Sequence, residues 1–243
     1  VGRTDYGTGE YDEYLNLTNQ PTMRTIPLTF LLLLSMYAMS QEIRENILDN
    51  QTYKERMAYF EANPLKEGQI VFLGNSLTQG GKWDEYFPAK QPANRGIAGD
   101  NTLGMLNRLT EILEARPEKL FLLAGINDIS LNRPNDKIMT GLKAIIYQVQ
   151  AASPDTEILV QSLLPINNDN NRYKRMLDKE KQIEKLNMEI QKFCKAEGIT
   201  FINLYPAFLS GKRKLNAKYT TDGLHLNDAG YAVWASQIQS YIK

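Results

Sequence analysis

A single histidine, His225, and a single cysteine, Cys194, stand in a chain of 243 residues. One histidine and no cysteine pair exclude a multi-histidine or thiolate metal centre, so no metal is expected. A lone cysteine forms no internal disulfide. In Lys192-Phe193-Cys194-Lys195 it reads as a small buried apolar group on a helix rather than a reactive thiol. Neither sign of charge is in excess: Lys+Arg and Asp+Glu each number 28. No basic stripe appears, which argues against nucleic acid as a partner. Gly-x-Gly-x-x-Gly and Gly-x-x-x-x-Gly-Lys-Ser/Thr are both absent, so no phosphate-cradling loop argues for a nucleotide, and no cofactor is expected. No apolar run reaches the ~20 residues that span a bilayer comfortably.

What is present begins with two dissimilar N-terminal stretches. Residues 1–22 are polar, rich in Gly, Tyr, Asp and Asn, without an apolar period. They read as disordered, or as an upstream extension of the reading frame. Residues 23–40 read as a signal peptide: Arg24, an apolar run from Ile26 to Met36, then Ala38-Met39-Ser40. The alternatives are an uncleaved anchor or a buried helix. Cleavage would leave a mature chain from about Gln41, periplasmic or secreted, with no stable membrane insertion. Residues 41–243 then form one domain, long enough for a full core.

Within that domain apolar strands alternate with amphipathic segments. Ile70-Val71-Phe72-Leu73 is short, β-branched and aromatic, and reads as a buried parallel strand. Leu120 to Ala124, Glu157 to Ser162 and Thr200 to Leu204 read likewise. Between them the spacing predicts helices over Glu42–Glu61, Trp83–Phe87, Thr102–Leu113, Asn135–Ala152, Tyr173–Glu197 and Asn227–Ile242. Asp100 or Asn101 would cap the third of these. About five such alternations give an α/β architecture: a parallel sheet with helices on both faces, a three-layer sandwich.

Four turns at strand ends or helix starts carry the chemistry. Gly74-Asn75-Ser76-Leu77-Thr78 sets a serine at the carboxyl end of a strand, where open α/β sheets bind ligands. Asp222-Gly223-Leu224-His225 sets a carboxylate three residues before the only histidine. Such an acid can fix the ring tautomer and stabilise the imidazolium while the ring acts as a base. The other two turns offer donors for an oxyanion: a backbone N–H at Gly99 and a side-chain amide at Asn127, beside the N–H of Ser76 itself. Each also has a plain structural reading, a turn glycine or a cap.

These four turns resemble the sequence blocks of the SGNH (GDSL) hydrolases. Gly74-Asn75-Ser76-Leu77 is similar to the first block, Gly96-Ile97-Ala98-Gly99-Asp100 to the second, Gly125-Ile126-Asn127-Asp128 to the third and Asp222-Gly223-Leu224-His225 to the fifth. The likeness runs from about Glu42 to the C-terminus and is greatest to the small bacterial enzymes related to platelet-activating-factor acetylhydrolase. It implies a flavodoxin-like fold, a triad of Ser76, Asp222 and His225, and an oxyanion hole of Ser76, Gly99 and Asn127. One position departs: the family's usual Asp before the serine is Asn75, which keeps an acceptor oxygen and loses a charge. Gly-x-Ser-x-Gly is also absent, since position 78 is Thr, which disfavours an ordinary α/β-hydrolase.

The expectation is therefore an exported serine esterase acting on short O-acyl groups, acetyl above all, carried on a carbohydrate or other small polar alcohol. The rivals are a lysophospholipase or thioesterase using the same site, and a catalytically silent glycan-binding module. Trp83, which could stack on a sugar face, and Arg95 are the candidate substrate contacts. The segments Gln79–Trp83 and Pro165–Arg172 are candidate cleft walls, and nothing is left over for a lid domain.

Overall fold

Five short strands form the sheet: β1 (Val71–Gly74), β2 (Ala93–Gly96), β3 (Lys119–Leu123), β4 (Glu157–Gln161) and β5 (Thr200–Ile202). The computed structural model describes Gly2 and residues 50–169, 172–211 and 213–243. The chain divides into two units, Val1–Ala38 and Met39–Lys243, and the second holds the sheet. The rest of the 1–22 extension, the signal-like segment 23–40 and the start of the first helical stretch, 42–49, lie outside the described residues.

All strand pairs are parallel, in the order β2-β1-β3-β4-β5. This is the doubly wound, flavodoxin-like order, whose switch point lies beside β1. Gly74 pairs with Gly96 on one side and with Leu123 on the other, so β1, β2 and β3 end at one level. The turns that leave these three strands are thereby set side by side.

The helices are α1 (Gln51–Ala62), α2 (Ser76–Gln79), α3 (Trp83–Tyr86), α4 (Thr102–Asn107), α5 (Thr110–Ala115), α6 (Ile126–Ser130), α7 (Asn135–Ala152), α8 (Glu180–Glu197), α9 (Tyr205–Phe208) and α10 (Asp228–Ile238). Alternation along each strand sorts them into two layers. Val71, Leu73, Leu120, Leu122, Ile158 and Val160 face α4 to α8. Phe72, Phe121, Leu123 and Leu159 face α2, α3, α9 and α10. Among the described residues no helix is long and apolar enough to cross a membrane.

Three local expectations are corrected. Residues 93–96 form a strand, β2, where the glycine-marked segment Asn94–Asp100 reads in the sequence as a turn throughout. It is a short polar edge strand whose side chains are spent on fixing neighbours: Asn94 Nδ2 donates to the carbonyls of Thr78, Gln79 and Gly81. The helix expected over 102–113 breaks at Arg108, whose side chain is drawn into the interior. The helix expected from Tyr173 begins only at Glu180. A 3-10 turn at Lys174–Met176 and a left-handed Asp178 (φ 58°) precede it, and Leu177 is left exposed. Asn101, not Asp100, caps α4, accepting from the N–H groups of Leu103 and Gly104.

Candidate active site

At the end of β1 the chain turns straight into α2, and Asn75 makes the turn. Its Oδ1 accepts from the N–H of Leu77 at 2.9 Å, an N-cap for a helix that begins on Ser76. The acceptor that Asn keeps in place of Asp is thus in use, while its buried Nδ2 finds no partner among the described residues. The loop before α10 meets this turn from the other side. Ser76 Oγ–H lies 3.1 Å from His225 Nε2, and His225 Nδ1–H donates to Asp222 Oδ2 at 2.8 Å. The carboxylate fixes the ring proton on Nδ1 and leaves Nε2 free to accept from the serine.

The loop is rigid for local reasons. Asp222 Oδ1 accepts from the N–H groups of Leu224 and His225, so one carboxylate oxygen folds the loop and the other addresses the ring. Gly223 is left-handed (φ 88°) and lies so close to Asn167 that a side chain would collide with its carbonyl. Asn167 N–H in turn donates to the Gly223 carbonyl at 2.8 Å. Burial alone would push the Asp222 carboxyl up. Hydrogen bonds from Tyr173, the His225 ring and the two N–H groups outweigh it and hold the group well below the usual carboxylate range.

Three donors stand beside Ser76 Oγ because three strands end at one level. The N–H groups of Ser76 and Gly99 have no acceptor among the described residues. Gly99 follows β2 and is left-handed (φ 82°), with open space where a Cβ would stand, so backbone conformation rather than room calls for glycine. Asn127, one residue into α6 after β3, donates one Nδ2 hydrogen to the Asp100 carbonyl at 2.8 Å. That bond orients the amide and leaves its second hydrogen. Ser76, Gly99, Asn127 and His225 line one cleft of about 600 Å³. The arrangement can pass a proton from Ser76 to His225 while N–H groups receive a negatively charged oxygen.

Two ion pairs with buried carboxylates anchor these turns, and neither is legible as function in the sequence. Arg108 is buried with Asp100; its Nε donates to Oδ2 at 2.8 Å, and its guanidinium also reaches the carbonyls of Gly74 and Arg95. Burial pushes the Asp100 carboxyl up to about 6 against the pull of Arg108. Asp128 accepts from the N–H and hydroxyl of Thr102 and from Arg133, tying the start of α6 to that of α4. Tyr173 is a third residue that the sequence does not mark. Its hydroxyl donates to Asp222 Oδ2 at 2.6 Å and lies 3.2 Å from His225 Nδ1.

Both candidate substrate contacts are corrected. Trp83 is 1 % exposed: it stacks on Phe72 with centroids 4.3 Å apart and donates from Nε1 to the Thr78 carbonyl. An indole so used offers no face to a sugar. Arg95 is 4 % exposed, forks onto Glu111 and donates to the Asn63 carbonyl, clasping α1 and α5 to the sheet edge. Of the expected walls, residues 165–169 mainly brace the loops, while Arg172 and the following turn through Met176 border the cleft.

A parallel sheet that delivers a linked Ser–His–Asp series and adjacent N–H donors to its switch point is the equipment of an ester-cleaving hydrolase. The chain belongs to the GDSL-like Lipase/Acylhydrolase family, whose model matches residues 72–233. It is 29 % identical over 173 residues to rat platelet-activating factor acetylhydrolase IB subunit alpha1, a match spanning 68 % of this chain and 71 % of that one. Among solved structures, a Streptococcus pneumonia protein described as a platelet activating factor superposes with a TM-score of 0.71 at 30 % identity, over 85 % of this chain and 99 % of its own. A GDSL-like lipase from Bacteroides thetaiotaomicron gives 0.68 at 26 %, over 77 % and 96 %. Carboxylic ester hydrolysis is the activity of this family.

Proposed function

We propose that the protein is an exported serine esterase that removes short acyl groups, acetyl above all, from hydroxyls of a carbohydrate or similar polar alcohol. Ser76 Oγ attacks the ester carbonyl as His225 Nε2 takes its proton. The N–H groups of Ser76, Gly99 and Asn127 hold the oxyanion. The imidazolium, stabilised by Asp222, then gives its proton to the departing alcohol. Water activated by the same ring attacks the acyl-Ser76 ester, releasing the acid and restoring the serine.

The observation that carries this reading is the pair of contacts on His225, 3.1 Å to Ser76 Oγ and 2.8 Å to Asp222 Oδ2. A complete set of proton-transfer and donor groups disfavours a silent binding module. Acetyl as the acyl group is supported by the rat relative, which is by name an acetylhydrolase. Export is supported by the order of charge, apolar run and small residues over 23–40. A lysophospholipase or thioesterase reading draws on Leu77, Ile126, Met176 and Leu224, apolar residues along the cleft.

The test is turnover of p-nitrophenyl acetate. Ser76→Ala and His225→Ala should each lower kcat by about 10⁴-fold or more, with circular dichroism unchanged. A Ser76→Ala enzyme within tenfold of its parent would refute covalent catalysis at this residue.

A further inference from the structure

The wall of the cleft formed by residues 172–176 carries a charge that ester cleavage does not require. Three cationic side chains, Arg172, Lys174 and Arg175, line the cleft, and among the described residues no Asp or Glu lines it. The chain as a whole is neutral, so this is a local concentration.

The wall is held in place. Met176 is buried in the core at one end of the turn. Asn168 grips the backbone of Tyr173 on both sides, donating to its carbonyl at 2.8 Å and accepting from its N–H at 3.0 Å. The Tyr173 hydroxyl is fixed on Asp222, and the Arg172 guanidinium lies over the Tyr173 ring. With Tyr173 and Met176 turned inward, Lys174 and Arg175 stand exposed between them, and neither is ion-paired among the described residues.

The nearby carboxylates are engaged elsewhere. Asp169 pairs with Lys214, Asp128 with Arg133 and Asp222 with His225. Asp228 borders a second hollow at Ser76 and His225, which it shares with Lys82. Only exposed Asp178 follows in the turn, and Lys179 comes directly after it. A cleft lined by one sign of charge concentrates ligands of the other sign.

We propose that this cationic wall selects esters that carry a negative charge, a carboxylate or a phosphate, on the molecule bearing the acyl group. The inference rests on the esterase reading and narrows its substrate: an acetylated acidic sugar is preferred to a neutral one.

The experiment measures kcat/KM on three acetyl esters, with p-nitrophenyl acetate as a control. They are an O-acetylated methyl glucuronide, an O-acetylated glycerol phosphate and an O-acetylated methyl glucoside. At low salt the better of the two anionic esters should exceed the glucoside by about tenfold, mainly through KM. Which of the two is faster distinguishes carboxylate from phosphate. The preference should shrink toward unity in about 0.5 M salt, where screening shortens the reach of charge. It should also collapse in Lys174→Gln/Arg175→Gln and reverse in Lys174→Glu/Arg175→Glu.

A glucoside that matches both anionic esters, or a preference that survives both double variants, would overturn the inference and leave the esterase reading standing. So would cleavage of p-nitrophenyl acetate with no turnover of any of the three. Failure on p-nitrophenyl acetate as well would overturn both.

Discussion

Tyr173 is where a single hydroxyl touches the proton-transfer chain. It donates to the same Asp222 oxygen that receives the His225 Nδ1–H, and its ring meets the imidazole edge-on at 6.0 Å. Burial, reinforced by the neighbouring carboxylate, pushes the Tyr173 phenol up to about 12, so it stays a neutral donor across the working range. The hydroxyl is one of the donors that hold the Asp222 carboxyl low, so in Tyr173→Phe that carboxyl rises toward its ordinary range. Stability drawn from a lowered carboxyl is present at neutral pH and lost as pH falls through the carboxylate range. Tyr173→Phe should therefore cost about 1–2 kcal/mol of unfolding free energy at neutral pH and progressively less as the pH falls, read from denaturant midpoints. An equal loss at every pH would assign the tyrosine a packing role only. Asp222 and His225 are legible in the sequence because only three positions separate them, and Ser76 because it stands in a glycine turn at a strand end; the resemblance of these turns to the family's blocks joins them. Tyr173 is not, because it stands in no such turn and no local pattern marks a tyrosine that reaches a distant loop.

At the scale of elements, the site depends on how the turns after β1, β2 and β3 are locked together. Arg108 does this from inside the protein, bridging the carbonyl end of β1, the carbonyl of Arg95 and the Asp100 carboxylate. Arg108→Met keeps most of the side-chain length and leaves Asp100 buried without its cation. The expected loss is about 3–5 kcal/mol of unfolding free energy at neutral pH, read from denaturant midpoints. The sign of its pH dependence follows from Asp100. Its carboxyl is already raised in the folded protein, chiefly by burial, and loss of Arg108 raises it further. A proton bound at lower pH removes the buried charge, so the penalty should be smaller at pH 5 than at pH 8. An equal loss at both would assign Arg108 a packing role only. The same residue explains one misread element. Periodicity alone runs a helix through 102–113, but the tertiary demand for an arginine at this junction breaks it. β2 escaped notice for a related reason: Ala93-Asn94-Arg95-Gly96 has polar residues bonded inward, which hydrophobic alternation cannot report.

At the scale of the whole molecule, the proposal of a short acyl group is a matter of space and lining. The described domain spends its strands and helices on one sheet and two helical layers, and the space beside Ser76 is a cleft of about 600 Å³ with a smaller hollow on the Tyr86 side. Gly99, Asn127 and Ser130 occupy part of its lining, and cations occupy part of the wall at 172–175. Leu77, Ile126, Met176 and Leu224 line it as well, and a long acyl chain would also meet these polar groups and displace their water. An acetyl group demands only the space beside Ser76 and the oxyanion donors. Burial of Trp83 removes one argument for a sugar face, yet it leaves this argument about the acyl side untouched. Across p-nitrophenyl esters from acetate to decanoate, kcat/KM should decline, with octanoate below acetate by about tenfold or more. The decline should appear in KM and kcat together, because a misplaced chain costs both binding and alignment. Higher efficiency on octanoate or decanoate would mean that Leu77, Ile126, Met176 and Leu224 act as a continuous acyl track. It would move the protein to the lysophospholipase or thioesterase reading with the same serine, histidine and aspartate in place.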